Sequence, residues 1–189
     1  MRSVPELCTK IALAACLLLA SGPVAAGSVV TYFAPATNLE VLDLAWLHKA
    51  LQARRLYVAM YAFTDKPLAR ALLQLARAGV LIGLYRDGRQ MHERGDVTWM
   101  LVRQPNIQIR ASNSSRFTMH DKLFIIPGMV FREGSANWSP VGEGATVRRG
   151  RKVNQQDNAA TYITDRGAIR AATQNFIRMW YRKSNVVVR

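Results

Sequence analysis

Residues 56–85, LYVAMYAFTDKPLARALLQLARAGVLIGLY, decide the fold. Leu56–Phe63 is a continuous apolar, aromatic-rich run, the pattern of a strand covered on both faces. Thr64-Asp65-Lys66-Pro67 opens a helix, with the proline in its first turn, where its missing N–H costs nothing. Leu68, Ala71, Leu72, Leu75 and Ala76 recur at helical spacing, and Gly79 ends the helix. Val80–Tyr85 is a second strand. Strand, helix and strand in this order make a βαβ unit, which joins two parallel strands. The expected fold class is therefore α/β, a mixed β-sheet flanked by helices on both faces, in one domain.

Outward from this unit, Glu40–Arg54 reads as a helix with Asn38 as its cap. Its apolar stripe is predicted at Val41, Leu44, Ala45, Leu47, His48 and Leu51. Asp87–Trp99 is polar and reads as loop with a helical turn. Asn106–Arg110 alternates like a strand. Lys122–Ile126 is another strand, Pro127-Gly128 a turn, and Met129–Phe131 its returning partner. Pro140–Lys152 is rich in glycine and proline and reads as an exposed loop. Ala159–Ile163 is expected as the last strand. Asp165–Arg182 is an amphipathic helix with Ile169, Ala172, Phe176 and Trp180 on one face.

Half of the 189 residues are hydrophobic, enough for a sizeable core and too many for a disordered chain. The 26 Lys and Arg against 12 Asp and Glu give a net charge of +14, which attracts polyanions, either nucleic acid or an anionic membrane. Met1–Ala26 has the three parts of a secretory signal: Arg2 and Lys10, the apolar Ile11–Ala20, and small residues at Val24-Ala25-Ala26 after Ser21-Gly22-Pro23. Cleavage is expected after Ala26, leaving a domain over 27–189 that is exported, periplasmic or secreted. A retained anchor and lipidation at Cys16 are the alternatives. Cys8 and Cys16 both lie in this segment. The remainder therefore has neither a cysteine nucleophile nor a cysteine-ligated zinc.

Two short segments carry the chemistry. Met119-His120-Asp121-Lys122 leads into one strand, and Glu133-Gly134-Ser135-Ala136-Asn137 follows its hairpin partner. Residues two apart on a strand share a face, so His120 pairs with Lys122 and Ser135 with Asn137. Together they offer an imidazole, an ammonium, a hydroxyl and an amide. That set suits a phosphate ester: Lys122, Ser135 and Asn137 bind non-bridging oxygens, and His120 attacks phosphorus. Gly134 lets the backbone pass close to the ligand. His48 and His92 lack such surroundings and read as surface residues.

His120-x-Lys122 followed by Gly134-Ser135-x-Asn137 resembles the single-motif branch of the phospholipase D superfamily. The likeness is to small secreted, EDTA-resistant endonucleases and to cardiolipin hydrolase-type proteins, and it runs from about Val30 to Tyr181. It includes Tyr61-x-Phe63-Thr64, Asp157-Asn158-Ala159 and the helix ending in Trp180. The resemblance implies a phosphohistidine intermediate, no metal or other cofactor, and a homodimer whose two histidines share one active site. It makes Asp157 the acid that orients His120. The family's motif has an aspartate five residues after the lysine, and here Pro127 stands there. Arg148, Arg149, Arg151 and Lys152 are possible nucleic-acid contacts. Three functions follow as expectations: a secreted endonuclease acting on DNA or RNA, a phospholipase D acting on anionic phospholipid, and a non-catalytic polyanion binder.

Overall fold

In the computed structural model the βαβ unit forms as the pattern predicts. Strand β2 (Arg55–Met60) pairs in parallel with β3 (Leu81–Asp87), and helix α3 (Lys66–Arg77) connects them. Asp65 caps α3 by accepting from the Leu68 N–H at 3.1 Å, and Pro67 stands in its first turn. The structure describes residues 27–114, 116–145, 147–148, 151–152 and 155–189. The expected signal segment, 1–26, lies outside them.

The other strands are β1 (Val29–Ala34), β4 (Ile107–Ser112), β5 (Lys122–Ile126), β6 (Val130–Gly134), β7 (Val147–Arg148), β8 (Arg151–Lys152), β9 (Asn158–Ile163) and β10 (Asn185–Val188). The other helices are α1 (Leu39–His48), α2 (Ala50–Ala53) and α4 (Arg166–Trp180). Among the described residues one mixed sheet runs in the order β1-β9-β6-β5-β2-β3-β4-β10, and β7 and β8 form a separate small hairpin. The central strands alternate between two cores. Leu56, Val58, Met60, Phe124 and Ile126 face a core shared with α1 and α3. Ala59, Leu123 and Ile125 face α4 through Ile169, Phe176 and Trp180. Helices therefore cover both faces, as expected.

Several details differ from the sequence reading. The buried side of α1 is Leu39, Glu40, Asp43 and Leu47, while Val41 is exposed. Asp43 is buried because it serves a polar cluster described below, which a hydrophobic stripe cannot reveal. Strand β3 extends through Arg86 and Asp87, two buried charges with partners of their own. The Pro140–Lys152 segment is not a uniformly exposed loop: Gly142–Ala145 is buried against the body. Ala159–Ile163 is not the last strand, because β10 returns after α4 to pair with β4. Both β1 and β10 are short edge strands with largely exposed apolar residues, so neither shows the alternation that marks a half-buried strand.

Candidate active site

The β5–β6 hairpin builds the cleft. Its antiparallel register pairs Phe124 with Arg132, and two residues further along the same register Lys122 falls level with Gly134. His120 just precedes β5, and Ser135 just follows β6. His120, Asp121, Lys122, Leu123, Glu133, Gly134 and Ser135 line one open cavity of about 420 Å³. The two motifs, thirteen residues apart between Lys122 and Ser135, meet there.

Lys122 is only 7% exposed, yet its ammonium reaches the cleft. Nζ lies 3.0 Å from His120 Nδ1 and 3.2 Å from Nε2, and it donates to the His120 carbonyl at 2.6 Å. It also stands 5.0 Å from the centre of the Tyr61 ring, which itself packs on the His120 ring with centroids 4.5 Å apart. Burial lowers the Lys122 pKa below the ordinary lysine value, and the nearby Asp121 carboxylate opposes this. A phosphate oxygen entering the cleft gives this partly desolvated ammonium a stronger partner than a carbonyl.

Ser135, in the cavity wall, and Asn137, which does not line it, are both anchored through their acceptor oxygens. Ser135 Oγ accepts from the Ala159 N–H at 3.0 Å, and the Ser135 N–H donates to the Ala159 carbonyl at 3.0 Å. Asn137 Oδ1 accepts from the Ala62 N–H at 3.1 Å, next to Tyr61, which fixes the amide orientation. Glycine is required at position 134 because a Cβ there would run into the Ala159 carbonyl.

Buried charges behind the cleft hold these segments, and the sequence reading passed over them. Arg132 Nη1 donates to the carbonyls of Lys122 at 2.8 Å and Ala136 at 3.2 Å, while its Nη2 lies 3.4 Å from Asp43 Oδ2. Asp43 also accepts from Trp138 Nε1 at 2.7 Å and from the Tyr162 hydroxyl at 2.6 Å. Burial pulls the Arg132 pKa down, but Asp43 and Glu143 more than offset it and keep the guanidinium charged. On the other flank Arg86 donates to the carbonyls of Met60 at 2.7 Å and Tyr61 at 3.0 Å, and pairs with Asp96 at 2.7 Å. Asp87 accepts from the Met119 N–H at 3.1 Å and thereby positions the residue before His120. A single sequence gives little sign of these roles, because a lone Arg or Asp in a strand or helix normally reads as surface.

The remaining expected residues are placed differently. Asp157 is exposed and lines a separate depression with Phe33, Ser135, Asn158 and Ala159. No hydrogen bond or ion pair joins it to His120 among the described residues. Glu133, not singled out from the sequence, and Asp121 are the carboxylates that line the same cleft as His120. His48 and His92 are exposed and lie elsewhere. Arg148, Arg151 and Lys152 lie in the small hairpin with Arg148 opposite Arg151, and Arg149 lies outside the described residues. Pro127 sits at the turn, where the Met129 N–H donates to the Ile126 carbonyl at 3.0 Å and Gly128 has φ +75°. At strand rise this is roughly 16 Å from Lys122. The residue that replaces the motif aspartate is therefore at the far end of β5 from the cleft. A second group of buried carboxylates, Glu40, Asp65 and Glu143, has oxygens within 4.8 Å of one another and shares no residue with the cleft.

This fold, with a histidine, a lysine, a serine and an asparagine at the end of one hairpin, defines a phospholipase D-type domain. The family model described as "Cardiolipin synthase, PLD-like domain" matches residues 45–180, and the chain belongs to that family. Mitochondrial cardiolipin hydrolase of Xenopus tropicalis is 31% identical over 128 residues, 67% of this chain and 55% of the relative. The Danio rerio protein of the same name is 28% identical over 136 residues, 71% of this chain and 55% of the relative. The chain thus spans about half the length of the curated relatives it matches. Among solved structures, Nuc from Salmonella typhimurium, a phospholipase D family member, superposes with a TM-score of 0.71 at 19% identity. That match covers 87% of this chain and 99% of Nuc. NucT from Helicobacter pylori gives a TM-score of 0.68 at 20% identity, covering 86% of this chain and 99% of NucT. These structural likenesses establish the fold.

Proposed function

We propose that this protein is an exported phosphodiesterase that hydrolyses nucleic-acid backbones through a phosphohistidine, without a metal ion, as a homodimer. The observation that carries the reading is the contact of Lys122 Nζ with the His120 ring in a cleft that also holds Ser135. A nucleophile and a phosphate-binding cation are thereby side by side, with the Ser135 hydroxyl in the same cleft.

In the proposed reaction a His120 ring nitrogen attacks phosphorus. Lys122, Ser135 and Asn137 bind the non-bridging oxygens as negative charge builds on them. The bond from phosphorus to the leaving oxygen breaks, and its electron pair stays with that oxygen. His120 of a second copy supplies the proton the leaving oxygen needs, since one imidazole cannot be phosphorylated and act as acid at once. Water then attacks the phosphohistidine and gives its proton to the second histidine, which restores both side chains. Asp157 or Glu133 is the carboxylate that orients the imidazole. Export rests on the three-part segment at Met1–Ala26.

The net charge of +14 favours a polyanionic substrate. A second reading, hydrolysis of phospholipid head groups, is favoured by the cardiolipin hydrolase relatives. The cleft residues bind only the phosphate and serve either ester. A DNA-containing gel run with and without EDTA separates the readings. Clearing in EDTA supports the nuclease. Lipid turnover without clearing supports the phospholipase, and neither leaves a non-catalytic polyanion binder.

A further inference from the structure

The segment between β4 and His120 carries an unusual side chain for an exposed loop. Phe117 is 58% exposed, three residues before His120. Its backbone is nevertheless pinned. The Phe117 carbonyl accepts from Ser112 Oγ at 3.3 Å, and its N–H donates to Ser114 Oγ at 3.2 Å. Two residues on, Met119 N–H is held by Asp87. The ring is thus presented outward from backbone held at Phe117 and Met119, at the same sheet end as the cleft.

One cation stands over it and others lie close by in the chain. The Arg182 guanidinium stands 5.7 Å from the ring centre. Arg89 Nη2 donates to Thr118 Oγ1 at 2.8 Å, on the neighbouring residue. Arg116 and Lys183 are exposed beside Phe117 and Arg182 in sequence. Among the described residues no carboxylate lies within ion-pair distance of Arg116, Arg182 or Lys183. Arg89 is paired with Asp87 at 3.6 Å, but an exposed aromatic ring beside the Arg182 guanidinium matches a ligand that is both flat and anionic. An acyl chain is neither, and a phospholipid head group has no flat aromatic ring.

We infer that Phe117 and Arg182 form a stacking platform for a nucleobase next to the scissile phosphate. This rests on the nucleic-acid reading of the cleft. A base within a duplex is already stacked on its neighbours, whereas a single strand offers its base faces freely. Arg182 serves twice, as a cation above the ring and as a contact for the adjoining phosphate.

The test uses the full-length protein with Phe117→Ala, Phe117→Leu and Phe117→Tyr. The ring is exposed, so these changes leave the core intact. Each variant is assayed on a single-stranded oligonucleotide and on an abasic deoxyribose-phosphate chain of equal length. Phe117→Ala and Phe117→Leu should raise KM for the oligonucleotide about tenfold with kcat nearly unchanged. KM for the abasic chain should stay the same, and Phe117→Tyr should behave like the wild type. Equal effects on both polymers, or no effect on either, would overturn the platform while leaving the nuclease reading intact. A wild-type protein that cleaves neither polymer but hydrolyses cardiolipin in vesicles would overturn both.

Discussion

Arg132 and Asp43 form a fully buried ion pair, 3.4 Å apart, directly behind the cleft. The same guanidinium holds the carbonyls of Lys122 and Ala136, one from each motif. The pair therefore fixes the spacing between the ammonium and the serine–asparagine segment. Removing one partner leaves the other charge buried and unpaired, which typically costs about 3–5 kcal/mol. Arg132→Met and Asp43→Leu should each lower stability by roughly that amount. Chemical denaturation measures this, and activity should fall with it although neither residue lines the cleft.

The orienting carboxylate is separable by paired substitutions. If Asp157 orients His120, Asp157→Asn lowers kcat with little change in KM, because the loss falls on the transition state. Glu133→Gln should then have the smaller effect. The reverse order would move the role to Glu133, which shares the cleft with His120.

How far these residues are legible in the sequence follows from what each one does. His120, Lys122, Ser135 and Asn137 stand at fixed spacings on a hairpin, and the apolar run Lys122–Ile126 with Pro127-Gly128 reveals that hairpin. The βαβ unit is equally plain, since Leu56–Tyr85 holds two buried strands and a capped helix. Arg132, Asp43, Arg86 and Asp87 are not legible. Their partners are backbone carbonyls and side chains far along the chain, such as Tyr162 for Asp43, and no local pattern encodes them. β1 and β10 escape notice because an exposed edge strand needs no alternation.

Asp65 gives a pH dependence of stability. Burial raises its pKa from 3.8 to about 6, against the opposing Leu68 N–H bond. The unfolded chain therefore releases this proton at lower pH than the folded one. Between about pH 4 and pH 6 the folded state holds more protons, so this contribution is lost as pH rises through that window. Asp65→Asn can still cap α3 and cannot titrate. Thermal melts should show the wild type losing stability relative to Asp65→Asn as pH rises from about 4 to about 7. Parallel curves would show that Asp65 does not titrate in this window.

The β7–β8 hairpin provides a test of the electrostatic footprint. Neutralising Arg148, Arg149, Arg151 and Lys152 together should flatten the salt dependence of DNA binding. The slope of log K against log salt shrinks by about 0.7–0.9 for each phosphate that the protein no longer neutralises. Binding should weaken uniformly across sequences. An unchanged slope would take the hairpin off the DNA path, and selective weakening of liposome binding would favour the lipid reading.

The central claim is that His120 is the nucleophile. It is tested most directly by quenching turnover in EDTA with an oligonucleotide carrying radioactive phosphate at the scissile position, for the wild type and for His120→Asn. Acid-labile, base-stable label is expected on the wild-type protein and none on the variant. The variant's cleavage rate should fall at least about a thousandfold, with substrate binding retained. Label on the variant, or a variant rate above about a tenth of the wild type, would contradict the assignment.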